Sequence, residues 1–233
     1  MKLSLKWAKQ NWLWLVVNLL AILSLISVFS MFSVDFNGLA LPTISLNELT
    51  PPPDMPARPE FDARDFSAFD LLVKSTGESA IRWLVLSLSA TPLYILFGWR
   101  RLLTIKKAAG LYAFLFAVLH SLFFVADKGL LAVFDEFNFI LGLLSVLVML
   151  PLALTSTNWS MKQMGRGWKL LHKGAYAAGV LAVLHVAVLG EGSAMLYSAI
   201  LLIGFAVRVP QLRKAITGFR HNRQRRLASA QGA

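Results

Sequence analysis

The chain contains no cysteine. Disulfides, zinc–thiolate sites, iron–sulfur clusters, c-type heme attachment and cysteine nucleophiles are excluded together. Charge is scarce too: Asp, Glu, Lys and Arg make up 15% of 233 residues, where a water-soluble domain carries about 25%. Of the 12 acidic residues, none lies deep in a long apolar run. That argues against a proton-coupled transporter or ion pump working through a buried carboxylate. No GxGxxG or other dinucleotide fingerprint occurs, so electrons would not come from a nicotinamide bound here. No segment of about 10 residues alternates with period two, as an outer-membrane barrel requires. No internal repeat is evident.

What remains is hydrocarbon. Apolar residues are 57% of the chain and mean hydropathy is +0.62. Long apolar runs fall near 12–32, 80–97, 108–126, 139–154, 170–189 and 194–209. A membrane-crossing helix needs about 20 such residues. The fourth and sixth runs are short, and extend through residues 155–157 and back through Ser193. The expected fold is an all-α membrane protein, a bundle of six transmembrane helices.

The charges follow the same count. With the N-terminus inside, the inner segments hold 18 of the 23 basic residues, and the outer segments hold the other 5 with all 12 acidic ones. The positive-inside rule is met at every loop. The net charge of +11 therefore reports topology and contact with anionic lipid rather than with nucleic acid. Both termini are then expected to be cytoplasmic. The first run follows Lys2, Lys6 and Lys9, as in a signal peptide, but it exceeds a typical h-region and lacks a clear small-x-small site, so an uncleaved anchor is expected. Trp12, Trp14, Trp83, Trp99, Trp159 and Trp168 stand at span ends, where an aromatic belt explains them. The organisation is then a cytoplasmic N-terminus over 1–11, a first transmembrane helix over 12–32, a periplasmic loop over 33–79, a five-helix core over 80–209 and a basic cytoplasmic tail over 210–233. The loop carries Pro51, Pro52, Pro53, Pro56 and Pro59, and 8 acidic against 3 basic residues. Such proline density favours extended polyproline II over helix or sheet. The loop reads either as a solvated hairpin or as a docking surface for a partner outside the membrane.

Ionisable groups inside a span are costly and therefore functional candidates. Arg82 and Arg208 are near span ends and can snorkel. The other candidates are His120, His172 and His185; His221 belongs to the solvated tail. His120 lies 12 residues into the third span from the inside, roughly 18 Å at 1.5 Å per residue. His185 lies about four residues short of the outer end of the fifth. The two share a level in the outer half, on helices running the same way, and two neutral imidazoles so placed suit the axial positions of heme iron. Hydrogen-bonded core histidines are the alternative. His172 is 13 residues from His185, about 140° around a straight helix, and would face the same channel only if the helix distorts, for which Gly174 and Gly179 offer a place. A second heme on His172 would need an opposite ligand near position 106 or 107, where Lys106 and Lys107 stand.

Several stretches together resemble a known family. They are Leu154-Thr155-Ser156-Thr157, then Gly167-Trp168-Lys169-Leu170-Leu171-His172 with Tyr176 and His185, and Ser75-Thr76-Gly77 with Ala80 and Thr91-Pro92-Leu93. The basic pair Lys106-Lys107 precedes His120 by fourteen and thirteen residues. The set is similar to the heme-binding membrane subunits of periplasmic protein-methionine-sulfoxide reductase systems, within the ferric-reductase-like transmembrane group. The resemblance implies heme b in a six-helix bundle, with His120, His172 and His185 at the family's histidine positions. It also implies electrons passing from quinol or a flavin reductase inside to a molybdopterin enzyme outside, with flavin mononucleotide (FMN) as an associated cofactor. The chain departs from the pattern in having Lys-Lys for Arg-Arg and in its Pro-rich acidic insertion around 40–64.

Supporting groups follow from charge. Heme propionates need cations or donors; Arg82 is the outer candidate, with snorkelling as the alternative. Inside, Arg100, Arg101, Lys106, Lys107, Lys169 and Lys173 could hold propionates or a flavin phosphate, although topology alone accounts for them. Tyr176 and Trp168 could stack on a flavin or anchor the interface. The expected function is a heme b electron-transfer subunit, with heme between the third and fifth spans and no catalytic residue of its own. The alternative is a structural or assembly subunit of a larger membrane complex.

Overall fold

A run of twenty apolar residues in lipid must satisfy its backbone internally, which an α-helix does within one segment. The structure, a computed structural model, describes residues 5–35, 43–46, 68–190 and 192–231. Its helices are α1 (Leu5–Phe29), α2 (Ala68–Phe97), α3 (Arg101–Lys128), α4 (Phe137–Leu154), α5 (Asn158–Met164), α6 (Arg166–Leu171), α7 (Gly174–Val188), α8 (Ser193–Arg208) and α9 (Pro210–Gln231). Five segments are long and apolar enough to cross a membrane: Gln10–Phe29 of α1, then α2, α3, α4, and Arg166–Val188 across α6 and α7. A sixth is reached when α8 is joined to Pro210–Arg223 of α9, at a bend of 79°. By itself α8 has 16 residues, about 24 Å of helix, short of a hydrocarbon core of about 30 Å. The chain is an all-α, multi-pass membrane protein with five to six spans.

The central helix is α2. It packs along α3 and also touches α1, α7, α8 and α9. Leu72 and Thr76 of α2 and Phe116 of α3 are the largest fully buried side chains. Packing between helices in lipid relies on small residues that let backbones approach. Accordingly Ala109, Ala113 and Ala117 are buried at four-residue spacing on α3. The cover on α3 is α1, through buried Val17, Ala21 and Val28 and a bond from the Tyr112 hydroxyl to Asn18 Oδ1 at 2.6 Å. Gly98, at φ 78°, lets the chain leave α2 and begin α3 within a few residues.

Two features depart from the expectations for the 33–79 segment. The helix α2 begins at Ala68, so residues 68–79 are helical. Their polarity hid this, yet Thr76 Oγ1 bonds Leu72 O at 2.5 Å and Ser79 Oγ bonds Ser75 O at 2.8 Å, hydroxyls paired with the helix's own carbonyls. A short antiparallel hairpin also forms, β1 (Phe32–Asp35) with β2 (Thr43–Leu46), in register Phe32 to Leu46 and Asp35 to Thr43. Phe32 packs on Phe123 at 6.0 Å between ring centroids, laying the hairpin against α3. The proline cluster, Pro51 to Pro59, lies outside the described residues. Asp70, Glu78, Asp127, Asp135 and Glu136 mark one end of the bundle as acidic; the opposite end, with the starts of α3 and α6, is basic.

Candidate functional site: two histidines across an apolar cavity

The third and fifth spans bring His120 of α3 and His185 of α7 together, with ring centroids 6.2 Å apart and planes at 70°. Each ring is held in the same way. His120 Nδ1 donates to Val73 O at 2.8 Å, and His185 Nδ1 donates to Asn138 O at 2.6 Å. A carbonyl only accepts, so each imidazole carries a proton on Nδ1, which in a neutral ring puts the lone pair on Nε2.

Glycine makes each bond possible. Four residues after Val73 stands Gly77, and four after Asn138 stands Gly142. A Cβ on Gly77 would lie 3.0 Å from His120 Cε1 and Nδ1, and one on Gly142 would lie 3.3 Å from the same atoms of His185. The bare helix face lets the ring lie flat over the glycine and reach the carbonyl one turn back. That carbonyl has a second lone pair beyond the one its own helix uses.

The arrangement occurs twice at a constant offset. Val73, Gly77 and His120 recur 65 residues later as Asn138, Gly142 and His185, and Ala117-Val118-Leu119-His120 recurs as Ala182-Val183-Leu184-His185. The pair α2 and α3 is thus echoed by α4 and α7. The echo is local to these residues. Its sequence trace is one tetrapeptide and one glycine, which a chain rich in Ala, Val and Leu conceals.

Both rings line a cavity of about 590 Å³. Its walls are mainly apolar, with Leu84, Phe124, Val146 and Val186 among them, and its rim carries Asp70, Lys74, Glu78, Arg82, Asp127 and Lys128. Arg82 pairs with Glu78 one turn away, its side chain 63% exposed. Lys128 pairs with Asp127 at 2.8 Å and Asp70 at 3.8 Å. Lys74 also lines this rim, a cation that the span count had placed in the loop.

The donor set itself tests the fit of heme. Among the described residues there is no group of three or more His, Asp or Glu that could hold a metal ion. Two imidazoles alone suit a metal whose other ligands come with it, as in a porphyrin. Imidazoles facing each other at 6.2 Å between centroids fit such a group, which His120 and His185 would hold.

His172 is placed elsewhere. It follows α6 at a break before Gly174, stacked on Trp168 at 3.9 Å. Thr155 Oγ1 donates to Pro151 O at 2.6 Å, so at 3.2 Å it accepts from His172 Nε2. His172 is therefore protonated at Nε2, the opposite tautomer to the other two. Trp168 Nε1 also donates to Thr155 O at 2.9 Å, so the aromatic pair fastens the start of the fifth span to the end of α4. Of the basic candidates, Lys106 is half-buried, within electrostatic reach of His172 and Arg208. Lys107 and Lys169 are exposed. Tyr176 lies beneath the Arg208 guanidinium, 5.0 Å from ring centre to Cζ, and edge-on to Phe205. Arg208 does not simply snorkel: Nη2 donates to Leu88 O at 2.6 Å and Nη1 to Gly204 O at 3.1 Å, while Nε is buried without a hydrogen-bond partner.

Comparison with known proteins follows the same residues. The family described as "Ferric reductase like transmembrane component" matches residues 76–183, a stretch that holds Gly77, His120, Gly142 and His172 and stops two residues before His185. A protein-methionine-sulfoxide reductase heme-binding subunit MsrQ from Rhodospirillum rubrum is 31% identical over 161 residues, 64% of this chain and 77% of that protein. The chain belongs to the MsrQ family. The MsrQ of Bordetella parapertussis is 36% identical over 131 residues, 53% of this chain and 64% of the relative. That of Brucella anthropi is 40% identical over 109 residues, 44% and 49% of the two chains. The chain thus matches less than two thirds of the length of the Bordetella and Brucella MsrQ proteins. No solved structure matches.

Proposed function

We propose that this MsrQ-family chain is a membrane cytochrome subunit that binds heme b between His120 and His185 and carries electrons across the bacterial inner membrane. The observation that carries the reading is the twice-built imidazole: each ring is oriented by Nδ1 on a backbone carbonyl, over a glycine, and the two rings stand 6.2 Å apart across one cavity. When bound, heme supplies one-electron transfer. The chain's residues do the rest. The two carbonyls fix the tautomer, so that Nε2 of each ring is the coordinating atom. The apolar walls exclude water. Arg82, Lys74 and Lys128 at the rim offer cations to propionates.

The partner of this reading is a periplasmic protein-methionine-sulfoxide reductase, of the molybdopterin class that the resemblance implies, on the acidic side of the bundle. The donor is quinol or a cytoplasmic flavin reductase on the basic side, where Lys106, Arg208 and Tyr176 lie beside His172 and where FMN would meet the chain. Both termini are then cytoplasmic, with the inner segments against anionic lipid. The deciding experiment is the visible spectrum of the purified, folded protein. A reduced b-type heme gives sharp α and Soret bands. Colourless folded protein from cells with ample heme would sink the cytochrome reading and leave an assembly subunit.

A further inference from the structure

The helix α9 is unlike the rest of the molecule. It carries six Lys and Arg residues and no Asp or Glu, and it turns 79° away from α8. Spanning helices lie on average about 20° from the membrane normal, so a segment bent this far from one runs close to the membrane plane. Arg220 pins it across the end of α2. Its Nη1 donates to Tyr94 O at 3.0 Å and Ile95 O at 2.9 Å, carbonyls of the last turn of α2, where helical partners run out; Tyr94 O also accepts from Gly98 N at 2.8 Å. That uses one of the guanidinium's nitrogens, and the group has five N–H donors in all.

The face of α9 is divided. Leu212, Ala215, Ile216 and Phe219 follow the spacing of an apolar stripe. Phe219 is 74% exposed. Beside the stripe, Leu96, Ile216, Phe219, Arg220 and Arg223 line a groove of about 380 Å³. Phe97 and Trp99 are exposed at the neighbouring α2–α3 turn, as residues of a membrane interface are. A groove with an apolar floor, two guanidinium walls and no acid on its helix complements an anion attached to a hydrocarbon chain.

We propose that α9 is an interfacial helix and that the groove between Arg220 and Arg223 is a binding site for the headgroup phosphate of an anionic phospholipid. The acyl chain lies over Leu96, Ile216 and Phe219. This stands apart from the heme reading, because none of these residues lines the histidine cavity.

The absence of cysteine makes the test clean. The full chain, carrying Phe219→Cys or Lys214→Cys with an environment-sensitive fluorophore, is reconstituted into phosphatidylcholine vesicles with and without phosphatidylglycerol. Expected are a blue-shifted label at 219, quenched by lipid-borne quenchers, and a water-exposed label at 214 on the opposite face. Spin-labelled phosphatidylglycerol should associate in preference to spin-labelled phosphatidylcholine. Arg223→Gln, which leaves the Arg220 bonds to α2 intact, should cut that preference about fivefold. The proposal is overturned by a water-exposed label at 219, by equal shielding at 219 and 214 as a protein partner would give, or by a lipid preference that Arg223→Gln leaves unchanged. Heme content of the same samples reports separately on the cytochrome reading.

Discussion

An imidazole in hydrocarbon must give its N–H to an acceptor, because an unpaired buried donor costs about 1–3 kcal/mol. His120 and His185 meet this with backbone carbonyls, which commits Nδ1 and leaves Nε2 as the atom that the proposed heme would take. His120→Ala and His185→Ala should therefore each abolish low-spin heme, seen as loss of heme per protein and a shift of any residue to high spin by EPR. Full low-spin heme in either variant would remove that histidine from the ligand set. The glycines give a finer test. A helical Gly→Ala exchange normally stabilises by about 0.8–1.0 kcal/mol, but here the new methyl meets the ring, closer at Gly77 than at Gly142. Gly77→Ala should lower heme occupancy more than Gly142→Ala, with helix content by circular dichroism maintained in both. Equal, undiminished heme in the two variants would mean that the rings do not need the bare helix face.

The helix pairs that carry these rings were only half legible in the sequence. Apolar runs gave every span's centre, and counting at 1.5 Å per residue put His120 and His185 at one depth. The first three turns of α2 stayed hidden because Ser75, Thr76 and Ser79 look like loop, although each hydroxyl bonds a carbonyl of the same helix. Glycine's part was invisible, since a missing Cβ has meaning only when a ring lies over it. The fifth span shows the same limit: Gly174 suggested a distortion, but the clasp of Trp168, His172 and Thr155 depends on α4 ending beside α6. That clasp predicts the outcome at His172. His172→Ala removes a stack and one hydrogen bond, a loss of about 1–2 kcal/mol at the basic end, and leaves both ligand rings in place. Low-spin heme should stay complete, while reduction by added quinol slows and thermal stability falls. Loss of heme in His172→Ala with retention in His185→Ala would move the site to the basic end.

For the molecule as a whole, a one-electron carrier is useful only if its two ends face different compartments, so orientation is part of the function. In the proposed orientation the 33–79 segment, with 8 acidic and 3 basic residues, would face the reductase. Deleting residues 47–67 should then stop electron delivery to that partner while heme per protein stays constant. The orientation itself rests on charge. Lys and Arg resist transfer and are held on the cytoplasmic side of short loops. On the six-span count, 18 of 23 fall in the inner segments, which hold none of the 12 acidic residues. Seven of those 18 are Arg208 and the six that follow it, so the short α8 is held by the strongest charge bias in the chain. A cytoplasm-active reporter fused after Ala233 should be active, and a periplasm-active reporter inserted after Asn47 should be active as well. A C-terminus reached by protease only from the periplasm would mean that α8 does not cross. The chain would then have five spans, with α9 on the side of the acidic loop.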